Sequence, residues 1–173
     1  MNKCPITYAI CQDKYSLPGL AKLSPRLSNL IELPFTAQEQ RREAASRSGK
    51  MSIQGIQPKL SAKLSVKNQE FQIVDSYGTF IIKPQHEIFT EVPENEDLTM
   101  KMAKYFGIEV PLTGLVYSKD GSLSYFIKRF DRYGKNKKYH VEDFAQLTGN
   151  TRETKYSWSI ENRAVRYLKS GSG

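Results

Sequence analysis

A glycine and a lysine four residues apart, a second lysine at the end of an apolar run and a glutamate thirteen residues after that lysine are residue types that together could hold a triphosphate. They are Gly55, Lys59, Lys83 and Glu96. A polyphosphate needs backbone N–H donors and a cation brought close together, and a residue without a Cβ lets the main chain approach. In Ser52-Ile53-Gln54-Gly55-Ile56-Gln57-Pro58-Lys59-Leu60 the glycine supplies that approach and Lys59 a charge. Each residue also has an ordinary reading. The glycine–lysine pair fits a simple surface turn, with Pro58 marking a loop. Lys83 fits a side chain that lays its stem on a sheet and keeps its amine wet. Glu96 fits a first-turn acid that complements a helix dipole.

The elements that must position these residues follow from periodicity. Leu60, Ala62, Leu64 and Val66 alternate with Ser61, Lys63 and Ser65, the period of a strand with one buried face. Lys67-Asn68-Gln69-Glu70 turns the chain into a second strand, Phe71-Gln72-Ile73-Val74. After the turn Asp75-Ser76-Tyr77-Gly78, the run Thr79-Phe80-Ile81-Ile82-Lys83 reads as a central strand ended by Pro84. A helix is predicted over residues 93–106, with Glu94, Glu96 and Asp97 crowding its positive end and Leu98, Met102, Ala103 and Phe106 at helical spacing before Gly107. Residues 113–117 and 124–128 bracket Asp120-Gly121, a hairpin signal. The second of these strands runs into Lys128-Arg129-Phe130-Asp131-Arg132. Strand, hairpin, lysine-bearing strand, acid-capped helix and hairpin, in that order, resemble the layout of a protein-kinase N-lobe, an expected α+β arrangement.

The first fifty residues carry less pattern. Leu17, Pro18, Leu20, Leu23, Pro25 and Leu27 suggest an irregular segment packed on the sheet, and Thr36-Ala37-Gln38-Glu39 fits a capping box opening a helix through residue 46. That helix lacks a broad apolar stripe, so it is expected to be a surface or partner-facing element. With 173 residues and 39% hydrophobic content, the chain suits one domain or one lobe with extensions. It holds no apolar run near the ~20 residues that span a bilayer and no signal-peptide pattern, which points to a cytoplasmic protein. Cys4 and Cys11 lack a matching cluster, since the two histidines are His86 and His140. They are expected to be reduced thiols, and no metal site is assigned.

Taken together, Met51 to Leu60, Phe80-Ile81-Ile82-Lys83-Pro84, Glu94-Asn95-Glu96, Ala103-Lys104-Tyr105-Phe106-Gly107-Ile108-Glu109-Val110-Pro111, Ile127-Lys128-Arg129-Phe130-Asp131-Arg132 and His140-Val141-Glu142-Asp143-Phe144-Ala145-Gln146-Leu147-Thr148-Gly149 resemble the HipA-type serine/threonine kinases, toxins of bacterial toxin–antitoxin systems, and among them the shorter HipT-like form. The resemblance runs from about residue 50 to residue 155. It implies a kinase-like N-lobe, an antiparallel sheet with one main packed helix, over residues 51–133. An N-terminal extension with a short helix would occupy residues 1–50, and the start of a C-lobe with a Gly/Ser tail residues 134–173. It implies ATP as cofactor, with Gln54, Gly55, Ile56, Gln57, Pro58 and Lys59 over its phosphates, Lys83 touching them and Glu96 holding Lys83. Lys128, Arg129 and Phe130 would form the hinge strand beside adenine, and Ser52 would be an autophosphorylated loop serine. HipT-like members can carry a second loop serine, where this chain has Gln54. The partners implied are an antitoxin, a small HipS-like subunit and, as protein substrate, an aminoacyl-tRNA synthetase.

The departure lies toward the C-terminus. The family's catalytic Asp loop, its downstream Asn and its metal-binding Asp are expected on a helical C-lobe, whereas the chain runs from Tyr156-Ser157-Trp158 to Ser170-Gly171-Ser172-Gly173. No catalytic residue is therefore assigned, Mg²⁺ is expected only with a complete C-lobe, and the expectation is ATP binding without efficient transfer by this chain alone. A formal net charge of +8, with Tyr125, Phe126, Phe130, Tyr133 and Tyr139 near Lys128, Arg129, Arg132, Lys135, Lys137 and Lys138, supports a second reading as a basic nucleic-acid-binding protein. No recognised nucleic-acid motif accompanies the charge, so contact with nucleic acid is expected only through a partner. A third reading is a non-enzymatic kinase remnant that binds an antitoxin or another subunit.

Overall fold

A computed structural model describes residues 2–47, 57–134 and 136–141. The chain divides into two compact units, Met1–Phe130 and Asp131–Gly173. The first is built on a five-stranded antiparallel sheet of strands β3 (Leu60–Ser65), β4 (Glu70–Ile73), β5 (Phe80–Lys83), β6 (Thr113–Tyr117) and β7 (Leu123–Lys128), in the order β4-β3-β5-β7-β6. This is the α+β class expected from the sequence, with β5 in the middle. Its register pairs Leu60 with Ile82, Ile82 with Phe126 and Lys83 with Tyr125.

Because side chains alternate across a strand, the sheet has two distinct faces. One carries Leu60, Ala62, Phe71, Phe80, Ile82 and Phe126 into the core. Phe71, Phe80 and Phe126 meet there at ring-centroid distances of 5.1, 5.3 and 6.1 Å. Each fully buried large apolar side chain contributes roughly 1.5–3 kcal/mol. The other face carries Lys83, Tyr125 and Ile127 toward helix α3 (Val92–Tyr105).

The core face is covered by the N-terminal segment. A short ribbon, β1 (Asn2–Lys3) paired with β2 (Ile10–Cys11), leads into α1 (Leu17–Leu23) and α2 (Ala37–Arg47). Ile6, Leu20, Leu27, Leu30 and Leu33 are buried in the main hydrophobic cluster. The segment also follows the β6 edge. Leu115 N–H donates to Pro5 O, Leu33 N–H donates to Tyr117 O, and Leu33 forms a parallel bridge with Ser118. Gly114 permits this approach: a Cβ there would stand 2.7 Å from the Phe126 ring and 3.3 Å from the Ile6 Cα. Both cysteines are free thiols, Cys4 buried and Cys11 partly so.

Two local expectations are corrected, and the structure fixes a helix face that the sequence left open. Residues 17–23 form a helix, not an irregular segment: Ser16 Oγ caps it by accepting from Gly19 N–H, and Pro18 sits in the first turn, where its missing donor costs nothing. Helix α2 does open with the expected capping box, Thr36 N–H donating to Glu39 Oε2 and Glu39 N–H to Thr36 Oγ1. It is nonetheless a packed element, burying Ala37, Gln40 and Ala44. Lastly, α3 turns its apolar residues outward, with Leu98 48%, Met102 52% and Phe106 73% exposed, and buries Pro93 and Asp97 instead.

The second unit contains a small ribbon, β8 (Arg132–Tyr133) antiparallel to β9 (Lys137–Lys138), with Gly134 at φ +50° in its turn. Tyr133 and Tyr139 stack with centroids 4.2 Å apart.

Candidate nucleotide-phosphate site

Lys83 is the last residue of the central strand β5, and its register partner Tyr125 stands beside it on the same face. Its ammonium donates to Glu96 Oε2 at 2.6 Å and lies 5.6 Å from the centroid of the Tyr125 ring. Both members of the ion pair are about three-quarters covered, with side chains 25% and 26% exposed. The lysine thus presents a fixed charge and not a wandering one. Burial, together with the Glu96 and Asp97 carboxylates, pushes the Tyr125 phenol up from its ordinary value, so the ring beside Lys83 is neutral. Lys83, Val92, Asn95, Glu96, Thr99, Met100, Tyr125 and Ile127 line a cleft of about 390 Å³.

The acids of α3 do more than complement its dipole. The helix begins after Glu91, which is left-handed (φ 58°) and makes no side-chain cap bond. Each carboxylate is also committed to a side chain. Glu94 accepts from Gln85 Nε2 at 2.8 and 3.0 Å, Glu96 from Lys83, and Asp97 from Tyr8, Lys101 and Thr113. Gln85 is placed in turn by Arg41 of α2, whose guanidinium donates to its carbonyl at 3.0 Å. Asp97 is fully buried, which the sequence reading missed. Its position four residues after buried Pro93 is the available signal, and the competing apolar period masked it.

Of the loop assigned over the phosphates, Ser52, Gln54, Gly55 and Ile56 lie outside the described residues. Gln57, Pro58 and Lys59 lead directly into β3. One register step beyond the Leu60–Ile82 pair sets Lys59 across from Lys83, so both lysines fall at the same end of the sheet. Gln57 Nε2 is a buried donor with no hydrogen-bond partner among the described residues. A free donor and two cations at one end of a sheet suit a polyphosphate.

Lys128, Arg129 and Phe130 lie at the opposite end of the β5–β7 pair. Lys128 is paired with Phe80, three residues from the Lys83–Tyr125 pair, or about 10 Å along the strand. Lys128 N–H donates to Leu112 O and Arg129 N–H to Thr79 O, so their backbones are engaged as strand and strand exit. Arg129 is buried, whereas Phe130 is 68% exposed. The described residues contain no cluster of His, Cys, Asp or Glu that could hold a metal ion, and no described helix is long and apolar enough to cross a membrane.

A "Putative kinase" of Haemophilus influenzae is 37% identical over 139 residues, covering 78% of this chain and 39% of that protein. A second, Y4dM of Sinorhizobium fredii, is 30% identical over 154 residues, covering 81% of this chain and 37% of its own length. This chain therefore spans under two-fifths of either relative. Among solved structures, a chain from the Shewanella oneidensis MR-1 complex of HipA, HipB and operator DNA superposes with a TM-score of 0.44 at 21% identity, over 78% of this chain and 35% of that one. The model of the HipA-like C-terminal domain matches residues 51–171. With most of its length inside that match, the chain belongs to the HipA-like C-terminal domain family.

Proposed function

We propose that this chain is the ATP-phosphate-binding part of a HipA-type serine/threonine kinase. The observation that carries the reading is the ion pair between a central-strand lysine and a helix glutamate, Lys83 with Glu96 at 2.6 Å. It is the arrangement that presents an ammonium to nucleotide phosphates while a packed helix fixes its direction. Lys83 and the loop lysine Lys59 would hold the phosphates, and Lys128, Arg129 and Phe130 would flank the adenine about three residues along the strand pair. Bound ATP·Mg²⁺ would supply the transferable phosphoryl group. An antitoxin, a HipS-like subunit and an aminoacyl-tRNA synthetase substrate belong to the reading through the family alone.

The test is titration calorimetry of ATP against the chain and its Lys83→Ala variant. A charge-assisted hydrogen bond is worth about 1.5–3 kcal/mol, so affinity is expected to fall about tenfold or more. Equal affinities would remove Lys83 from the site.

Ser52 is proposed as the regulatory phosphosite of the complete kinase. Phosphorylation adds about −1.5 to −2 charge at neutral pH, in competition for the same N–H groups and lysines that would hold ATP. A Ser52-phosphorylated chain is expected to bind ATP more weakly than the unmodified chain. Undiminished affinity would leave Ser52 as an ordinary turn residue.

A further inference from the structure

We propose that Asp97 is a positioning residue: anchored by Tyr8 and Thr113, it lets the N-terminal ribbon set the place of α3 and hence the Lys83–Glu96 ion pair. For nucleotide binding this rests on the function proposed above, but the ion pair itself gives a readout that does not.

Helix α3 is not held chiefly by an apolar stripe, since Leu98 and Met102 are half-exposed and its fully covered residues are Pro93 and Asp97. Its hold on the rest of the lobe includes a set of side-chain hydrogen bonds. Asp97 is 0% exposed and accepts from Tyr8 Oη at 2.7 Å, from Thr113 Oγ1 at 3.0 Å and from Lys101 Nζ. Lys101 belongs to the same helix and neutralises the buried charge, while its ammonium also stands over the Tyr8 ring. The external ties are Thr113, at the start of β6, and Tyr8, in the turn between β1 and β2.

Tyr8 is itself fixed. Its φ is 61°, a left-handed conformation uncommon for a bulky residue; its N–H donates to Cys4 O at 2.7 Å, and its ring lies 4.2 Å below the Lys101 ammonium. Burial and the Asp97 carboxylate push the Tyr8 phenol up, so it remains a donor. Glu96 is the residue next to Asp97 on a rigid helical backbone, so a shift or rotation at Asp97 is transmitted to the 2.6 Å contact with Lys83. The Arg41–Gln85–Glu94 chain ties the first turn of the same helix to α2. The Tyr8 tie and the Arg41 chain therefore both come from the segment that precedes the phosphate loop, whereas Thr113 belongs to the sheet.

The experiment uses the full chain and reads Lys83 directly, as its acylation rate with an amine-reactive ester followed by mass spectrometry well below the melting temperature. Glu96→Gln, which breaks the pair, is expected to raise Lys83 labelling. Tyr8→Phe, which deletes the hydroxyl and keeps the ring, is expected to raise it about threefold, with the exposed Lys67 unchanged. Thr113→Val probes the second tie if Tyr8→Phe is poorly folded by circular dichroism. A purely structural role would lower the melting temperature and leave Lys83 labelling at the wild-type rate, and that result would overturn the proposal, as would an unresponsive Glu96→Gln. On ATP affinity, the double variant Tyr8→Phe/Glu96→Gln should be no weaker than Glu96→Gln alone; independent, additive losses would also overturn it. Labelling that responds in a chain that binds no ATP would sustain the anchor and sink the nucleotide reading.

Discussion

Gln40 shows how a single residue can carry more of this fold than its type announces. It is 0% exposed on a helix whose sequence reads as polar. Its Nε2 donates to Ser118 Oγ at 2.8 Å and to Phe35 O at 3.3 Å, while its Oε1 accepts from Ser124 Oγ at 3.0 Å. Ser118 and Ser124 join each other at 3.0 Å, which closes the network. Removing one member leaves hydroxyls buried without their partner and opens a space the size of the lost side chain. Gln40→Ala is therefore expected to cost about 2–3 kcal/mol. In urea unfolding the midpoint should fall with an unchanged slope. A loss below about 0.5 kcal/mol, the size of an ordinary surface change, would mean the network is not what anchors α2.

At the scale of elements, α2 is seated by the hairpin between β6 and β7 as well as by its own capping box. Asp120, in that hairpin, accepts at Oδ2 from Ala37 N–H at 3.0 Å, at the positive end of the helix. Partial burial opposes ionisation, but hydrogen bonds from the Ser122 hydroxyl and the Ala37 and Ser122 N–H groups outweigh it and hold Asp120 below its ordinary 3.8. Glu39 is likewise lowered, through its bonds with Thr36. A carboxylate whose folded pKa is depressed stabilises the protein above its unfolded pKa, and that contribution is lost as pH falls through the folded value. The window lies below about pH 4. Between about pH 5 and about pH 3 the melting temperature of the wild-type chain should fall more steeply than that of Asp120→Asn, which has no such proton to take up. Since Asp120 is exposed, the difference should be small, a few degrees at most. Parallel curves would show that the bond to Ala37 contributes nothing.

The first unit, Met1–Phe130, is built on a sheet with two differently occupied faces: an N-terminal segment packed into the apolar side and a helix bearing carboxylates over the side where Lys83 emerges. Much of this was legible. The strands, their turns, the capping box, the extent of α3 to within a residue and the lysine at the end of the central strand all follow from interactions within a few positions of sequence, so alternation, turn chemistry and caps determined them. The fit of those pieces to one family was legible for the same reason, because its motifs are local. The face that α3 buries was not legible. Leu98, Met102 and Phe106 recur at helical spacing whether they point inward or outward, and the choice was settled by what stands opposite, Tyr8 and Thr113 with acceptors to satisfy at Asp97. Nor could the sequence assign Glu94, Glu96 and Asp97 to separate partners, because a helix dipole accounts for all three equally well. Gln40 was invisible for a related reason, its serines lying 78 and 84 residues away. Local pattern determined which elements form and where Lys83 stands. The tertiary structure alone decided which polar groups are buried, because a buried donor or acceptor must find its partner wherever the fold brings one.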